Sequence, residues 1–152
     1  MNETATNRSG AIDRLSNHPR CVACSPSHEH GWQLKFTRRA DGSVSAAVDC
    51  APRWEGYPKR LHGGAIAMLL DAAMTHCLFA HGEAAVTAEL CVRYREAVAT
   101  GRPARVQAWL VHGSSRLHRL RAELLQENRV KAVGTGKFVP LPRPEAKEPI
   151  YT

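Results

Sequence analysis

One carboxylate, Asp71, stands inside an apolar stretch of the sequence where a charge is unexpected. The stretch runs from Leu61 to Met74 and reads LHGGAIAMLLDAAM. Burying an ionised carboxylate costs free energy unless the group is paired or coordinated, so Asp71 must have a partner, face a cavity or carry a raised pKa. Carboxylates of that kind cluster at functional sites, and Asp71 is therefore our first candidate catalytic residue.

Two adjacent glycines, Gly63 and Gly64, form a second candidate feature at the start of the apolar stretch. Glycine lets another group approach the backbone closely, and the first N–H groups of a helix have no partner inside the helix. The positive end of the helix dipole adds to their attraction for negative charge. Such a helix start can polarise a carbonyl oxygen and hold the oxyanion that forms from it.

The element that must position both features is a helix from Gly63 to about His81. Its apolar residues recur with the spacing of a helix, and the remaining positions are largely apolar too. A helix that is apolar on nearly all sides is buried. Taken singly, a Gly-Gly pair is common in loops and a charged helix residue usually faces solvent, but together on this helix they favour a functional site. The apolar residues with helical spacing are Ile66, Leu69, Leu70, Ala73, Cys77 and Leu78.

Alternating apolar and polar residues predict six β-strands around this helix, the first two joined by a turn at Asp41-Gly42. One helix with two strands before it and four after it predicts an α+β fold, in which an antiparallel sheet wraps around a central helix. We expect a flexible tail over residues 1–20, or in its place a short helix around 11–15, and a proline-rich tail over 141–152. The predicted strands cover residues 33–38, 44–48, 86–94, 104–112, 117–126 and 130–139.

Composition restricts the class of protein. The chain has 152 residues, enough for one domain with a core, and a formal net charge of +7. The basic residues are spread over several strands and no nucleic-acid-binding module accompanies them, so we expect no nucleic-acid partner. Asp71 and His76 interrupt the longest apolar run, so we expect no membrane partner either. The five cysteines are odd in number and scattered, and the N-terminus lacks a secretory pattern, which favours the cytoplasm.

Several segments together resemble one enzyme family. They are LHGGAIAMLLDAAM, TAELCVRYREAV at 87–98, VKAVGTGKFVPL at 130–141 and, upstream, CVACSPSHEHGWQLKF at 21–36. They are similar to segments of the hotdog-fold acyl-CoA thioesterases of the phenylacetic-acid-pathway type, over about residues 21–140. The resemblance implies a six-stranded antiparallel sheet wrapped around one long helix. It also implies hydrolysis of an acyl-CoA thioester to the free acid and CoA, without a cofactor.

The resemblance also implies roles for individual residues. Gly63 matches the glycine whose backbone N–H polarises the thioester carbonyl, and His62 matches the histidine beside it. Asp71 matches the catalytic carboxylate, which acts as a general base on water or as a nucleophile that forms a mixed anhydride. Thr87 falls where related enzymes place a residue that orients the attacking water, although a threonine is also an ordinary strand residue.

Substrate-binding residues are predicted around these positions. Glu55 lies in the loop where many relatives carry an Asn, Gln or His, and Ala72 replaces a glutamate that often follows the catalytic aspartate. These departures keep a non-catalytic acyl-CoA-binding module open as the alternative function. Because coenzyme A brings three phosphate groups, exposed basic residues are candidate ligands for it. The candidates are Gly64, Glu55 and Thr75, with Arg93, Arg95, Arg129 and Lys131 for the phosphates.

The distance between Gly63 and Asp71 predicts a second copy of the chain. Eight residues separate them on one helix, which is about 12 Å along the axis. A reacting carbonyl must lie about 3 Å from its hydrogen-bond donor and close to its nucleophile. One chain cannot easily supply both, whereas two helices crossing antiparallel in a two-fold dimer can. We therefore expect a homodimer, and a dimer of dimers is compatible with it.

A metal site is a weaker alternative in the N-terminal part of the chain. Cys21, Cys24, His28 and His30 form a C-x2-C-x3-H-x-H pattern with four possible zinc ligands. The spacing is shorter than in finger-type sites, and the family resemblance does not require a metal. We therefore expect ordinary core or loop cysteines and no metal at these four residues.

Overall fold

One helix, α1 (Gly63–Ala80), lies against a six-stranded antiparallel sheet in the computed structural model, which describes residues 17–142. The strand order across the sheet is β1-β2-β4-β5-β6-β3, and a short 3-10 helix (Pro52–Trp54) precedes α1. The predicted α+β architecture is confirmed. The expected helix at 11–15, and the proline-rich tail after residue 142, lie outside the described residues. The strands are β1 (Thr37–Arg38), β2 (Val44–Val48), β3 (Ala85–Tyr94), β4 (Ala104–Gly113), β5 (His118–Gln126) and β6 (Arg129–Pro140).

Helix α1 begins and ends within one residue of its predicted bounds. His62 caps its N-terminus, and the backbone N–H of His81 bonds to the carbonyls of its last turn. All six apolar residues predicted to face the core are buried. The helix is long and apolar enough to cross a membrane, with a mean hydropathy of 1.4, but 72% of it is buried inside the fold. Most of its apolar surface is therefore already covered by the rest of the fold.

Glycines on β6 let α1 approach the sheet closely. A Cβ atom at Gly136 would lie 2.6 Å from the ring of Phe138 and 3.1 Å from the sulfur of Met74, and one at Gly134 would lie 3.2 Å from the Cβ of Leu70. Atoms at such separations repel, so side chains at these two positions would push the helix away from the strand. The close packing that results holds the middle of α1 against the sheet.

The predicted first strand, 33–38, is wrong over most of its length, because only Thr37–Arg38 pair with β2. Gln33 has a positive φ of 50°, which an extended strand does not allow. The backbone N–H of Leu34 instead donates to the carbonyl of Ala23, 2.9 Å away. This segment is therefore part of a loop structure that covers α1. His18, which lies in the predicted tail, belongs to the same cover, because its ring contacts Phe79 of α1.

Strand β3 is an edge of the sheet. It pairs with β6 on one side only, and a register shift between Thr87 and Glu89 interrupts that pairing. Two of its large side chains remain open to solvent, with Val86 47% and Tyr94 53% exposed. A ten-residue edge strand with exposed apolar side chains offers a row of backbone groups to a partner strand.

Candidate active site

Asp71 lies in the middle of α1, where the helix passes under strand β3. Its carboxylate is half-buried and accepts a hydrogen bond of 2.6 Å from the hydroxyl of Thr87. The two residues are sixteen positions apart in the sequence and on different elements, and the structure brings them into contact. This contact is the partner that an acidic residue in an apolar helix requires.

The electrostatic surroundings raise the pKa of Asp71 above the ordinary value of an aspartate. Burial is the largest cause, since it disfavours the charged form, and the negative charge of Cys21 acts in the same direction. The hydrogen bond from Thr87 and the positive charge of His18 oppose them. A carboxylate with a raised pKa is a better proton acceptor once ionised than an ordinary aspartate.

The start of α1 has the geometry of an anion-binding helix end, but the N–H of Gly64, one of the two glycines expected there, already has an acceptor. The Nδ1 atom of His62 accepts a 2.8 Å hydrogen bond from the backbone N–H of Gly64, so that N–H is already used. Within residues 17–142, no acceptor pairs with the backbone N–H of Gly63. The Gly63 amide is therefore the N–H of this pair that remains available to a substrate oxygen.

Tyr94, which sequence reasoning did not select as a site residue, fixes this helix end from the edge strand. Its hydroxyl donates to the carbonyl oxygen of Gly63 at 2.8 Å, and its ring lies beside the glycine. Tyr94 ends the strand predicted over 86–94, but periodicity does not indicate which tyrosine hydroxyl reaches another element. Gly63 and Asp71 lie at separate points along the same helix, and the single chain does not bring them together.

An open cavity of about 900 Å³ lies beside the start of α1. His62, Gly63 and Tyr94 line it, and so do two basic side chains, Arg60 and Arg95. Arg95 was among the predicted phosphate ligands, whereas Arg60 lies in the loop before His-Gly-Gly and no sequence pattern singled it out. The cavity therefore places the available Gly63 amide near two guanidinium groups, and the carboxylates of Glu55 and Glu96 line it as well.

The other predicted binding residues have varied positions. Glu55 lines the cavity, but its carboxylate accepts a hydrogen bond from the backbone N–H of Lys59 and so stabilises its own loop. Thr75 is buried in the core, 7% exposed, one turn after Asp71. Arg93 is exposed on β3. Of these three residues, only Glu55 lies at the cavity.

Arg129 and Lys131 both form ion pairs with Glu96, Lys131 at 2.8 Å. The two contacts, first that of Lys131 and then that of Arg129, lower the pKa of Glu96 below that of an ordinary glutamate. A basic side chain that already pairs with a carboxylate has less positive charge to offer a phosphate. The geometry therefore favours Arg60 and Arg95 over this pair as phosphate ligands.

The four cysteines and histidines of the C-x2-C-x3-H-x-H pattern do not form one cluster. Cys24 lies instead beside His18 and His76, and the possible ligand atoms of these three all lie within 4.8 Å of one another. Cys21 is next to them, and its hydrogen bonds with Cys24 and His18 lower the pKa of the Cys21 thiol to about 3. Sequence reasoning missed His18 and His76 because they are far apart along the chain.

Comparison with known proteins gives a consistent result. The family model of the thioesterase superfamily matches residues 59–133. A crystallised thioesterase superfamily protein is 23% identical, with a TM-score of 0.77, over 85% of this chain and 69% of that one. The phenylacetic acid degradation protein PaaI of Thermus thermophilus is 25% identical, with a TM-score of 0.65, over 71% of this chain and 93% of its own.

A third similar structure contains a bound ligand. It is a Streptococcus mutans protein crystallised with acetyl-CoA, 17% identical, with a TM-score of 0.67, over 71% of this chain and 88% of its own. None of the curated proteins matches the sequence.

Proposed function

Because this chain belongs to the hotdog-fold thioesterase superfamily, we propose that it hydrolyses acyl-CoA thioesters to the free acid and CoA. The observation that carries the proposal is the half-buried Asp71, which has a raised pKa and is held by the hydroxyl of Thr87. A structural ion pair would explain a buried carboxylate, but the hydrogen-bond partner of Asp71 here is a neutral hydroxyl. The acetyl-CoA bound by the Streptococcus mutans protein supports the substrate class.

In this mechanism the Gly63 N–H and the dipole of α1 stabilise negative charge on the thioester oxygen. Asp71 then removes a proton from the attacking water, or its carboxylate attacks the carbonyl carbon itself and CoA leaves as the thiolate. Thr87 holds the carboxylate in one orientation. Tyr94 acts as a positioning residue, because it holds the helix end whose amide meets the substrate.

The site is completed by a second copy of the chain. About 12 Å of helix separates Gly63 from Asp71, whereas the reacting carbonyl must lie within hydrogen-bond distance of the amide and close to the carboxylate. In a two-fold dimer, the Gly63 of one protomer faces the Asp71 of its partner, which makes two identical sites. The edge strand β3 supports this arrangement, since it carries Thr87 and Tyr94 and offers its free side to the same strand of a partner.

The phosphates of CoA bind at the mouth of the cavity beside Gly63. Arg60 and Arg95 are exposed there and line the cavity. Guanidinium groups bind phosphate oxygens through paired hydrogen bonds. The acyl chain then extends from the Gly63 amide toward the apolar parts of the helix and sheet.

A thiol-release assay tests the proposal directly. The purified chain is supplied with short, long and aromatic acyl-CoAs, and we expect at least one of them to be hydrolysed. Asp71→Asn should lose about 100- to 10,000-fold in kcat, the range expected for a general base, and remain folded. The matched control is Asp49→Asn, an exposed aspartate outside the site, which should retain full activity.

Two outcomes contradict the proposal. Unchanged activity in Asp71→Asn would show that the carboxylate takes no part in the reaction. Tight binding of CoA without release of thiol from any substrate would make the chain a non-catalytic acyl-CoA-binding module.

Single-turnover hydrolysis in water labelled with oxygen-18 separates the two roles of Asp71. Label in the Asp71 carboxylate, with unlabelled product, requires the anhydride route with water attacking the Asp71 carbonyl. Label in the product alone fits a general base, or an anhydride opened at the acyl carbon. A borohydride quench during turnover resolves that case, since it reduces an anhydride on Asp71 and changes the mass of the peptide that contains it.

A further inference from the structure

A group of possible metal ligands lies between the N-terminal cover and helix α1, outside the proposed catalytic groups. It comprises His18 and Cys24 of the cover and His76 of α1, and their ligand atoms all lie within 4.8 Å of one another. Cys24 and His76 are buried, and His18 is half-buried. These are one thiol and two imidazoles, a combination that zinc binds well in proteins.

The spacing of Cys24 and His18 fits a tetrahedral ion. The sulfur of Cys24 lies 3.7 Å from the Nδ1 of His18. Typical zinc–sulfur and zinc–nitrogen distances at a tetrahedral angle place these two atoms roughly 3.5 Å apart. Only a small adjustment of the side chains is therefore needed for one ion to contact both.

A fourth ligand, Cys21, lies next to this group, but its sulfur is not within 4.8 Å of all three ligand atoms and must move closer to reach the ion. Cys21 hydrogen-bonds to the side chains of Cys24 and His18, and its sulfur also accepts the backbone N–H of Ala23 at 3.3 Å. With Cys21 the set becomes two cysteines and two histidines, which is a frequent composition of structural zinc sites. All four positions are then filled by protein, so the ion has no open position for water or substrate.

The surroundings orient the two imidazoles. The ring of His76 stacks on Phe36, with centroids 4.4 Å apart and an interplanar angle of 19°, and the ring of His18 meets Phe79 edge-on at 5.0 Å. Aromatic rings on these faces hold the imidazole planes and limit access of water, and both effects strengthen a metal site.

We propose that His18, Cys21, Cys24 and His76 bind one zinc ion that fastens the N-terminal cover to helix α1 beside Asp71. The ion ties a segment that makes few sheet hydrogen bonds to the most buried element of the fold. Its role is structural, because its binding free energy adds to the stability of the folded chain. The proposal does not depend on the thioesterase function, and its test uses no acyl-CoA.

The test is the metal content of the full chain, expressed in medium supplied with zinc and freed of any affinity tag. We expect one zinc per chain. His18→Gln and Cys24→Ser should each weaken zinc binding by at least the roughly 10- to 100-fold that loss of an outer-shell partner costs. The control is His30→Ala, an exposed histidine of the same segment, which should keep its zinc.

Two further readouts keep the test independent of folding defects. Cobalt bound in place of zinc should show a thiolate charge-transfer absorption that Cys24→Ser loses in large part, while circular dichroism shows whether the variant is folded. A strong chelator should lower the Tm of the wild-type chain and leave that of Cys24→Ser nearly unchanged. A folded wild-type chain that takes up neither zinc nor cobalt would overturn the proposal, as would equal loss of zinc in His30→Ala.

Discussion

Mixed dimers of two inactive variants test whether the proposed site lies between two copies of the chain. Gly63→Pro removes the backbone N–H that is proposed to polarise the substrate. Proline is well tolerated at the first helical position, and His62 before it already has the extended backbone, φ −61° and ψ 138°, that a following proline requires. Asp71→Asn removes the carboxylate. Each variant alone has two defective sites in every dimer.

The expected size of each defect follows from the group that is lost. Removing one oxyanion donor costs about 100- to 1,000-fold in kcat. Gly63→Ala is the matched control, because it keeps the N–H and its Cβ would lie 3.5 Å from the hydroxyl oxygen of Tyr94, an ordinary contact. We expect Gly63→Ala to keep most of the activity.

The heterodimer should recover activity that neither parent has. When one protomer carries Gly63→Pro and its partner Asp71→Asn, one of the two shared sites contains both defects and the other contains none. The purified heterodimer should therefore have about half the wild-type rate per dimer. Co-expression with two different affinity tags isolates it, and thiol release measures the rate. A heterodimer no faster than its parents, or a chain that sediments as a monomer, would refute the two-chain site.

Four further predictions follow from individual contacts. Thr87→Val removes the hydrogen bond that lowers the pKa of Asp71, so the acidic limb of the pH–rate profile should move to higher pH, whereas Thr87→Ser should leave it in place. Because the folded-state pKa of Asp71 is raised, ionisation of Asp71 lowers the stability of the folded chain at neutral pH. This loss is absent below the unfolded-state pKa of about 3.9, where the carboxyl is protonated in both states. Asp71→Asn should therefore have a higher Tm than wild type at neutral pH, a gain that disappears in acid, as thermal melts at two pH values would show. Arg95→Ala should raise the KM for acyl-CoA about tenfold, since a hydrogen bond to a charged group is worth about 1.5–3 kcal/mol, whereas Arg129→Ala, whose guanidinium pairs with a glutamate, should have a smaller effect. Gly136→Ala should lower the free energy of unfolding by about 1–3 kcal/mol in a urea titration, because its Cβ would overpack the contact between β6 and α1.

Much of the fold could be predicted from local patterns. The predicted bounds of α1 and of five of the six strands lie within one residue of the observed ones, because apolar periodicity reports which face of an element is buried. The first strand is shorter than predicted because Gln33 has a positive φ and the N–H of Leu34 bonds to the carbonyl of Ala23, and neither feature can be read from local residue types. Residues 17–34 also cover α1, a role that a polar and irregular sequence does not reveal.

The site could be predicted in part. The sequence alone points to Asp71, Gly63 and Thr87, and the structure brings Thr87 into contact with Asp71. Candidate phosphate ligands cannot be ranked from the sequence, since Arg129 and Lys131 resemble other surface charges there, whereas the structure pairs both with Glu96.

The sequence by itself determined that a carboxylate must lie inside a buried helix that begins with two glycines, because helical spacing and composition are properties of one segment. Only the tertiary structure decided which groups meet that helix. The Thr87 hydroxyl reaches Asp71, and the Tyr94 hydroxyl reaches the carbonyl of Gly63. His18 and Cys24 lie against His76. The physical reason is that each of these contacts joins elements distant along the chain, and the packing of whole elements, rather than any local preference, sets their distance and orientation.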